Sequence, residues 1–169
     1  MKVNLVVLLF LFFSLSVLAE LYEVNNGDLL HVEVYGEPEL ALDIKVDSLG
    51  FIEYPFIGKI KVQGENIETI KDAVVVKLKD GYFVDPQVTV FIKKYKPFFI
   101  QGEVVSPGSY PFEVGLTIQK AITLAGGLTE RASKKKIYLT NSSSQEPIKV
   151  KLDQLVSAGD IIEIKESFF

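Results

Sequence analysis

The stretch FFIQGEVVSPGSYPFEVGLTIQKAITLAGGLT, from Phe98 to Thr129, decides the fold. It predicts a strand, a tight turn, a return strand, a short helix and a glycine stop, in that order. Pro107 presets φ in the turn, and Gly108 is free to take a positive φ. Thr117 can cap the helix and Gly126–Gly127 can end it. The stretch therefore predicts a small α+β unit, and no residue in it has the character of a nucleophile or general base.

Upstream of this stretch, alternating apolar and polar residues predict amphipathic strands. A turn at Asn25–Asp28 leads into the first strand, and Gly36–Glu39 is expected to break the chain before the next. Gly58–Gly64 and Gln87–Tyr95 continue the pattern. His31 falls on the polar face of the first strand, which indicates a solvated histidine rather than a catalytic one. The residues expected to face inward are Leu30, Val32, Val34, Leu42, Ile44, Val46, Ile60, Val62, Val88, Val90 and Ile92.

Two helices are expected, around Ile67–Lys79 and Ile118–Ala125. Asn66 is a plausible N-cap for the first, and Gly81 is expected to end it. Lys96-Pro97 separates the two blocks of sequence, each of which contains one predicted helix. This join is too short for a flexible linker, so the two blocks should pack closely.

After the second helix the sequence predicts three further strands. Ile137–Thr140 and Ile148–Leu152 should pair across the polar loop Asn141–Gln145, and Ile161–Ile164 should form the last strand. The segments GDLLHVEVYGE and GDIIEIKES, at the two ends of the chain, are similar. We interpret this as recurring Gly-Asp turn chemistry rather than as a repeat.

Composition excludes several classes of function. The net charge is −4 at a pI of about 5.1, which argues against a nucleic-acid-binding surface. Lys134–Lys136 is the only basic run, and we interpret it as a solvated strand edge or loop rather than an anion site. The absence of cysteine excludes disulfides, thiolate metal sites and a lipid-modified N-terminal Cys. His31 is the single histidine and cannot form a His-rich metal site or an obvious triad.

The first residues, Met1–Ala19, have the features of a secretory signal peptide. A short positive start is followed by the apolar run Leu5–Phe13, and Val17 and Ala19 are small enough for the signal-peptidase subsites. Cleavage is expected before Glu20. An uncleaved N-terminal anchor remains the alternative, although a membrane span needs about 20 apolar residues.

Two blocks of sequence resemble one family. The segment GEVVSPGSYPF…LTIQKAITLAGGLTERASKKKIYL resembles the SLBB (soluble-ligand-binding β-grasp) domain of bacterial polysaccharide export proteins. Upstream, GDLLHVEVYGEPEL, DSLGFIEYPFIGKIKVQG and YFVDPQVTVFI resemble, in order, the polysaccharide export (PES) domain of that family. The family usually opens the intervening helix with Thr, where this chain has Asn66, which caps equally well. The resemblance implies a strand-rich α+β fold in two small domains, PES over 20–96 and β-grasp-like SLBB over 97–169.

The resemblance also implies a function. It implies a non-enzymatic periplasmic component, either free or associated with the outer membrane, that exports capsule, exopolysaccharide or biofilm polymer through an oligomeric ring. The implied partners are the polymer, an inner-membrane co-polymerase that regulates chain length, and a separate outer-membrane β-barrel. The chain has one SLBB unit and no amphipathic helix after its final strand, so it is similar to the short periplasmic members of the family.

An enzyme and a ligand-binding module are the two other functions that the sequence offers. A glycosidase needs two carboxylates flanking a cleft, and no feature of the sequence singles out such a pair of acidic residues. We expect no catalytic, cofactor-binding or metal-binding residues. The glycine turns lack the lysine and the strand-to-helix context of phosphate loops. The alternative is a periplasmic module that recognises a saccharide or small molecule in an aromatic-lined pocket. Its candidate residues, which a plain hydrophobic core explains better, are Tyr95, Phe98, Phe99, Tyr110 and Phe112.

Overall fold

The computed structural model describes residues 22–141, 144 and 146–167. The predicted signal segment, with its cleavage site before Glu20, lies outside the described residues, as does part of the predicted loop Asn141–Gln145. The class is α+β and rich in strand, as the sequence predicts. The elements in chain order are β1 (Leu29–Val34), β2 (Glu37–Lys45), β3 (Phe51–Tyr54), β4 (Gly58–Lys61), α1 (Ile67–Lys79), β5 (Val88–Lys94), β6 (Phe98–Gly102), β7 (Gly108–Tyr110), α2 (Ile118–Leu124), β8 (Ala132–Thr140), β9 (Ile148–Lys149) and β10 (Ile161–Glu166).

The first five strands and α1, called the N-terminal unit below, enclose one hydrophobic core. β1 lies between β2 and β5 in an antiparallel sheet, and β3 pairs with β4 in a separate ribbon. The register places Val32 opposite both Leu42 and Val90, so the apolar residues of the three strands share one face. The inward-facing residues that are fully buried are Leu30, Val32, Val34, Val46, Ile60, Val62 and Val90. Those that are half-buried against the same core are Leu42, Ile44, Val88 and Ile92.

Helix α1 covers this core and has the bounds expected from its sequence. Asn66 caps it, because its side-chain oxygen accepts a hydrogen bond from the backbone N–H of Thr69 at 2.9 Å. Its buried face carries Ile70, Val74 and Leu78. Gly81 follows the helix with φ of +91°, a conformation that favours glycine.

The remaining strands and α2, called the C-terminal unit below, enclose a second core. Their sheet has the order β7-β6-β10-β8-β9, with β6 and β10 parallel and the other pairs antiparallel. Helix α2 begins after Thr117, whose hydroxyl accepts from the N–H of Lys120 at 3.3 Å. Both Gly126 and Gly127 adopt a positive φ after the helix. The central residues of the core are Phe98, Ile100, Ile118, Ala121, Ile137 and Ile162.

Two expectations for strand ends were wrong. The predicted break Gly36–Glu39 is only a turn at its start, since β2 begins at Glu37 and continues through Pro38. A proline, which has no N–H to donate, is tolerated there because β2 is an edge strand with an irregular register near Val34. At the other end of the chain, β9 stops at Lys149 instead of Leu152.

A contact with α2, distant in sequence, accounts for the early end of β9. The carbonyl of Leu152 accepts a hydrogen bond from the N–H of Gln119, so the chain leaves its partner strand to contact α2. β8 is longer than expected and begins at Ala132. It therefore contains the basic run Lys134–Lys136, of which Lys134 and Lys135 are exposed, as expected for a strand edge.

Candidate functional site

The chain passes from the first core to the second through Tyr95–Pro97, called the junction below. Two Gly-Asp turns lie on either side of it. In the first, a side-chain oxygen of Asp28 accepts from the N–H of Asn25 at 2.8 Å. In the second, Asp160 accepts from the N–H of Ser157 at the same distance. The similarity between the two ends of the sequence is thus a recurring turn, as predicted.

Asp28 links its turn directly to the junction. Its Oδ1 atom accepts a hydrogen bond from the N–H of Lys96 at 2.6 Å, and its Oδ2 atom accepts from the hydroxyl of Tyr22 at 2.8 Å. Asp28 is fully buried, so these partners replace the water that an ionised carboxylate would otherwise bind.

The second turn contacts the junction from the other side. The N–H of Gly159 donates to the carbonyl of Pro97 at 3.2 Å, and the N–H of Phe99 donates to the carbonyl of Asp160 at 2.8 Å. The Lys96 stem lies so close that a Cβ added to Gly159 would be 2.9 Å from Cε. The join is therefore fixed by both units, in agreement with its short sequence.

Three aromatic rings pack at the junction. The Tyr22 and Tyr95 rings meet edge to face with centroids 4.7 Å apart, and Tyr95 meets Phe112 in the same way at 5.5 Å. Burial raises the pKa of the Tyr22 phenol, and its hydrogen bond with Asp28 raises it further. Burial likewise raises the pKa of Tyr95, with a smaller contribution from the Asp28 charge. Both phenols therefore stay neutral and can donate hydrogen bonds.

An open groove of about 520 Å³, called the junction groove below, lies beside these rings. Its apolar lining is Tyr95, Pro97, Tyr110, Pro111 and Phe112. Its polar lining is Lys93, Lys94, Ser109 and Glu113. Flat apolar faces with a few polar groups are typical of ligand sites, and this combination can bind a ligand that has both apolar faces and hydroxyl groups.

Some of the polar groups in the groove already have partners. Lys93 forms an ion pair with Asp43, and the hydroxyl of Tyr110 donates to the carbonyl of Ser106 at 2.6 Å. The side chains of Lys94, Ser109 and Glu113 make no hydrogen bond with any other described residue. These three side chains are therefore available to a ligand.

The five aromatic residues proposed from the sequence divide into three groups. Tyr95, Tyr110 and Phe112 meet at the junction groove. Phe98 is fully buried and stacks on Tyr110 with centroids 5.9 Å apart, so it belongs to the core. Phe99 lies on the opposite face of β6, where it is 43% exposed.

Sequence reasoning missed Tyr22 and Asp28 as parts of this site. The similarity of the two Gly-Asp segments was the signal that could have marked Asp28. Tyr22 precedes the first predicted strand and carries no local signal for its contact with Phe112, a residue of the C-terminal unit.

His31 lies on the outer face of β1, as predicted, but it is held by neighbours rather than solvated. Its Nδ1 atom is 2.7 Å from a carboxylate oxygen of Asp43, and its ring packs 4.9 Å from Phe91. A hydrogen bond from Lys93 and the one from His31 hold the pKa of Asp43 below its usual value. Within the described part of the chain, no group of three or more His, Asp or Glu side chains is placed to hold a metal ion.

Comparison with known proteins gives two family matches. The family described as "Polysaccharide biosynthesis/export protein" matches residues 18–93, and the "SLBB domain" matches residues 97–150. The matches follow one another in the order of the two cores, and the second match begins at Pro97, the last residue of the junction.

Three curated proteins are similar to parts of the chain. The chain is 33% identical over 88 residues to the exopolysaccharide production protein ExoF of Rhizobium meliloti, covering 51% of this chain and 21% of ExoF. It is 26% identical over 187 aligned residues to the EPS I polysaccharide export outer membrane protein EpsA of Ralstonia nicotianae, covering 86% of this chain and 47% of EpsA. It is 28% identical over 115 residues to the polysialic acid transport protein KpsD of Escherichia coli, covering 66% of this chain and 21% of KpsD.

The chain spans between about a fifth and a half of the length of these relatives. Neither of the helices that the structure describes is both long and apolar enough to cross a membrane.

Proposed function

The chain belongs to the bacterial polysaccharide export protein family, and we propose that it is a non-enzymatic component of a system that exports a polysaccharide. The observation that carries this proposal is the ordered pair of family matches, over residues 18–93 and 97–150. The names of the similar proteins, which refer to exopolysaccharide production, polysaccharide export and polysialic acid transport, support the same class of substrate here.

In this proposal the polymer passes the protein without being cleaved or modified. A glycosidase uses a pair of carboxylates on either side of the scissile bond. Among the described residues that line the junction groove, Glu113 is the single carboxylate. The groove therefore suits contact with sugar rings better than their hydrolysis.

We further propose that the chain acts in the periplasm after cleavage before Glu20, with its PES and SLBB domains meeting between residues 96 and 97. The signal-like segment Met1–Ala19 supports this location. The proposed partners are an inner-membrane chain-length regulator and an outer-membrane β-barrel, both of which the family resemblance implies.

Copies of the chain are proposed to assemble into a ring around the polymer. An exposed group of Phe56, Tyr82 and Val84, called the aromatic patch below, supports contact between copies. The Phe56 and Tyr82 rings lie 5.4 Å apart, and Phe56 has φ of +67°, which is uncommon for a residue other than glycine. A strained backbone that presents an exposed aromatic ring is typical of a functional surface. A ring requires a head-to-tail contact of this kind whose rotation closes.

The junction groove favours a second candidate function, a module that binds a saccharide without transporting it. Tyr95 and Tyr110 offer flat faces to sugar rings, and Lys94 and Glu113 offer hydrogen bonds to hydroxyl groups. The two functions differ in what happens to the polymer in cells without the protein.

The experiment that tests the proposal is fractionation of the polysaccharide in cells with and without the chain. Export predicts loss of polymer from the outside, with material retained in the periplasm or synthesis stalled, and recovery when the chain is restored. A normal amount of external polymer in cells without the chain would contradict export and favour the binding module.

A further inference from the structure

The C-terminal unit has a second open groove, of about 540 Å³, between the start of β8 and the segment that follows β9. It is called the lysine groove below. Its lining includes Lys134, Lys135, Lys149 and Lys151, together with Leu152 and Asp153. The sequence predicted a solvated strand edge or loop at Lys134–Lys136, and the fold brings Lys149 and Lys151 beside the first two of these lysines.

The fold places these lysines together. Val150 donates its N–H to the carbonyl of Ile137 at 3.0 Å, which aligns the segment after β9 with β8. Gln119 at the start of α2 donates its N–H to the carbonyl of Leu152 at 2.9 Å. The segment that lines the groove is therefore held by hydrogen bonds to both β8 and α2.

Four lysines and one carboxylate, Asp153, line the groove, and within the described part of the chain the lysines form no ion pair. None of the ammonium groups of Lys134, Lys135, Lys149 and Lys151 lies within ion-pair distance of a carboxylate of any described residue. This concentration of positive charge occurs in a chain whose net charge is −4. Neighbouring like charges repel one another, and an anionic ligand would relieve that repulsion.

We propose that the lysine groove binds the carboxylate groups of an acidic polysaccharide. This inference rests on the proposed export function and narrows its substrate class to polymers that carry uronic or similar acid groups. The exposed side chain of Leu152 can pack against the C–H face of a sugar ring, and Asp153 can accept hydrogen bonds from sugar hydroxyls. An acidic protein surface would offer carboxylates but fewer hydroxyl groups for Asp153.

Lysine suits this groove better than arginine if the bound polymer has to slide along the protein. A lysine ammonium is a hydrated point charge on a flexible stem, whereas arginine forms bidentate and more rigid pairs with carboxylates. The one arginine of the chain, Arg131, is paired with Glu166 and does not line the groove. Four flexible lysines give attraction without fixing the polymer in one position.

The test measures binding of an oligogalacturonate, which has a carboxylate on every sugar, to the mature chain. Its methyl ester is the matched ligand without charge. The groove variant carries Lys135→Gln, Lys149→Gln and Lys151→Gln, and the control variant removes three exposed lysines of the N-terminal unit by Lys45→Gln, Lys59→Gln and Lys77→Gln. Since all six side chains are exposed, both variants should fold, which circular dichroism verifies.

The groove variant should bind the oligogalacturonate about tenfold more weakly, because it loses three exposed ion pairs with the carboxylates of the ligand. The control variant should stay close to the original chain, the methyl ester should bind poorly, and high salt should weaken binding. The single variant Lys149→Gln should show a smaller loss in the same direction. Equal binding of the ester, or equal losses in the groove and control variants, would overturn the inference. Tighter binding of polyglutamate than of oligogalacturonate would overturn it in favour of an acidic protein partner.

Failure of the inference can be distinguished from failure of the proposed function. If export depends on the chain but the oligogalacturonate does not bind, the lysine groove is wrong and the export function stands. If cells without the chain export normally, the export function is wrong. The proposal that the exported polymer is the ligand of the lysine groove is then wrong as well.

Discussion

Asp28 of the N-terminal unit accepts a hydrogen bond from the backbone N–H of Lys96, with 2.6 Å between Oδ1 and the nitrogen. The two residues are 68 positions apart, and Lys96 lies where the chain enters the C-terminal unit. The same carboxylate holds Tyr22, whose ring reaches Phe112 of the second core. One buried side chain therefore connects the beginning of the described chain, the junction and both cores.

Replacement of Asp28 by alanine should strongly destabilise the protein. The change leaves the donors of Tyr22, Asn25 and Lys96 without their partner, and we expect a loss of about 3 to 5 kcal/mol in the free energy of unfolding. Urea denaturation measures it. Asp72→Ala, at an exposed position on α1, is the control and should change stability by about 0.5 kcal/mol or less. Similar small losses in both variants would show that the Asp28 network does not stabilise the fold.

Gly102 should tolerate alanine much less well than Gly115. Both have a positive φ, which costs an alanine about 1 to 2 kcal/mol. At Gly102 an added Cβ would also lie 2.0 Å from the carbonyl oxygen of Ile164, whereas nothing lies within 4 Å at Gly115. Gly102→Ala should therefore cost about 2 to 5 kcal/mol in total. Equal losses in the two variants, measured by thermal or urea denaturation, would contradict the close contact between β6 and β10.

Acid should weaken the fold partly through Asp43. Its carboxylate has a lowered pKa because Lys93 and His31 donate hydrogen bonds to the ionised form. A lowered folded-state pKa stabilises the protein above the unfolded-state value, and this contribution is lost as the pH falls through the folded-state value. We therefore expect Asp43→Asn to lose less stability than the original chain as the pH falls from about pH 5 to about pH 2.

The measurement is the urea midpoint of both proteins across that range. Asp47, whose pKa is also lowered, chiefly by a hydrogen bond from the N–H of Phe51, is unchanged in the variant and retains part of the acid sensitivity. The same loss of stability with pH in both proteins would rule out a contribution from Asp43.

Association of the chain with itself should depend on the aromatic patch. Phe56→Asn combined with Val84→Ser removes two exposed apolar side chains, and asparagine tolerates the positive φ at position 56. Sedimentation velocity over a range of concentrations should show association weakened by about tenfold. The control, Leu49→Ser with Leu124→Ser, removes equally apolar exposed residues outside the patch and should associate normally. A chain that stays monomeric at high concentration, alone and with its membrane partner, would count against the ring.

Local sequence was sufficient to predict the elements of the fold. Alternating residues such as Leu30 and Val32 marked the strands, and the caps Asn66 and Thr117 marked both helix starts. These signals act over a few residues and need no knowledge of distant partners. Strand ends were predicted less well, because the end of β9 at Lys149 depends on a hydrogen bond between Leu152 and the distant Gln119.

The candidate site was only partly predictable for the same physical reason. The sequence marked Tyr95, Tyr110 and Phe112, and the alternation in β6 could have separated buried Phe98 from exposed Phe99. Contacts between the units depend on the relative placement of two sheets, which local sequence does not encode. The buried Asp28 network arises from that placement. The lysine groove arises within the C-terminal unit, where the segment after β9 meets β8 and α2.

The most direct test of the central claim is the rate at which newly made polysaccharide reaches the outside of the cell. Cells are given a short pulse of labelled sugar, and the label is followed in periplasmic and external polymer with the chain present or depleted. The export function predicts that depletion slows the arrival of external label while labelled polymer accumulates in the periplasm. An unchanged rate of arrival after depletion would contradict a role in export.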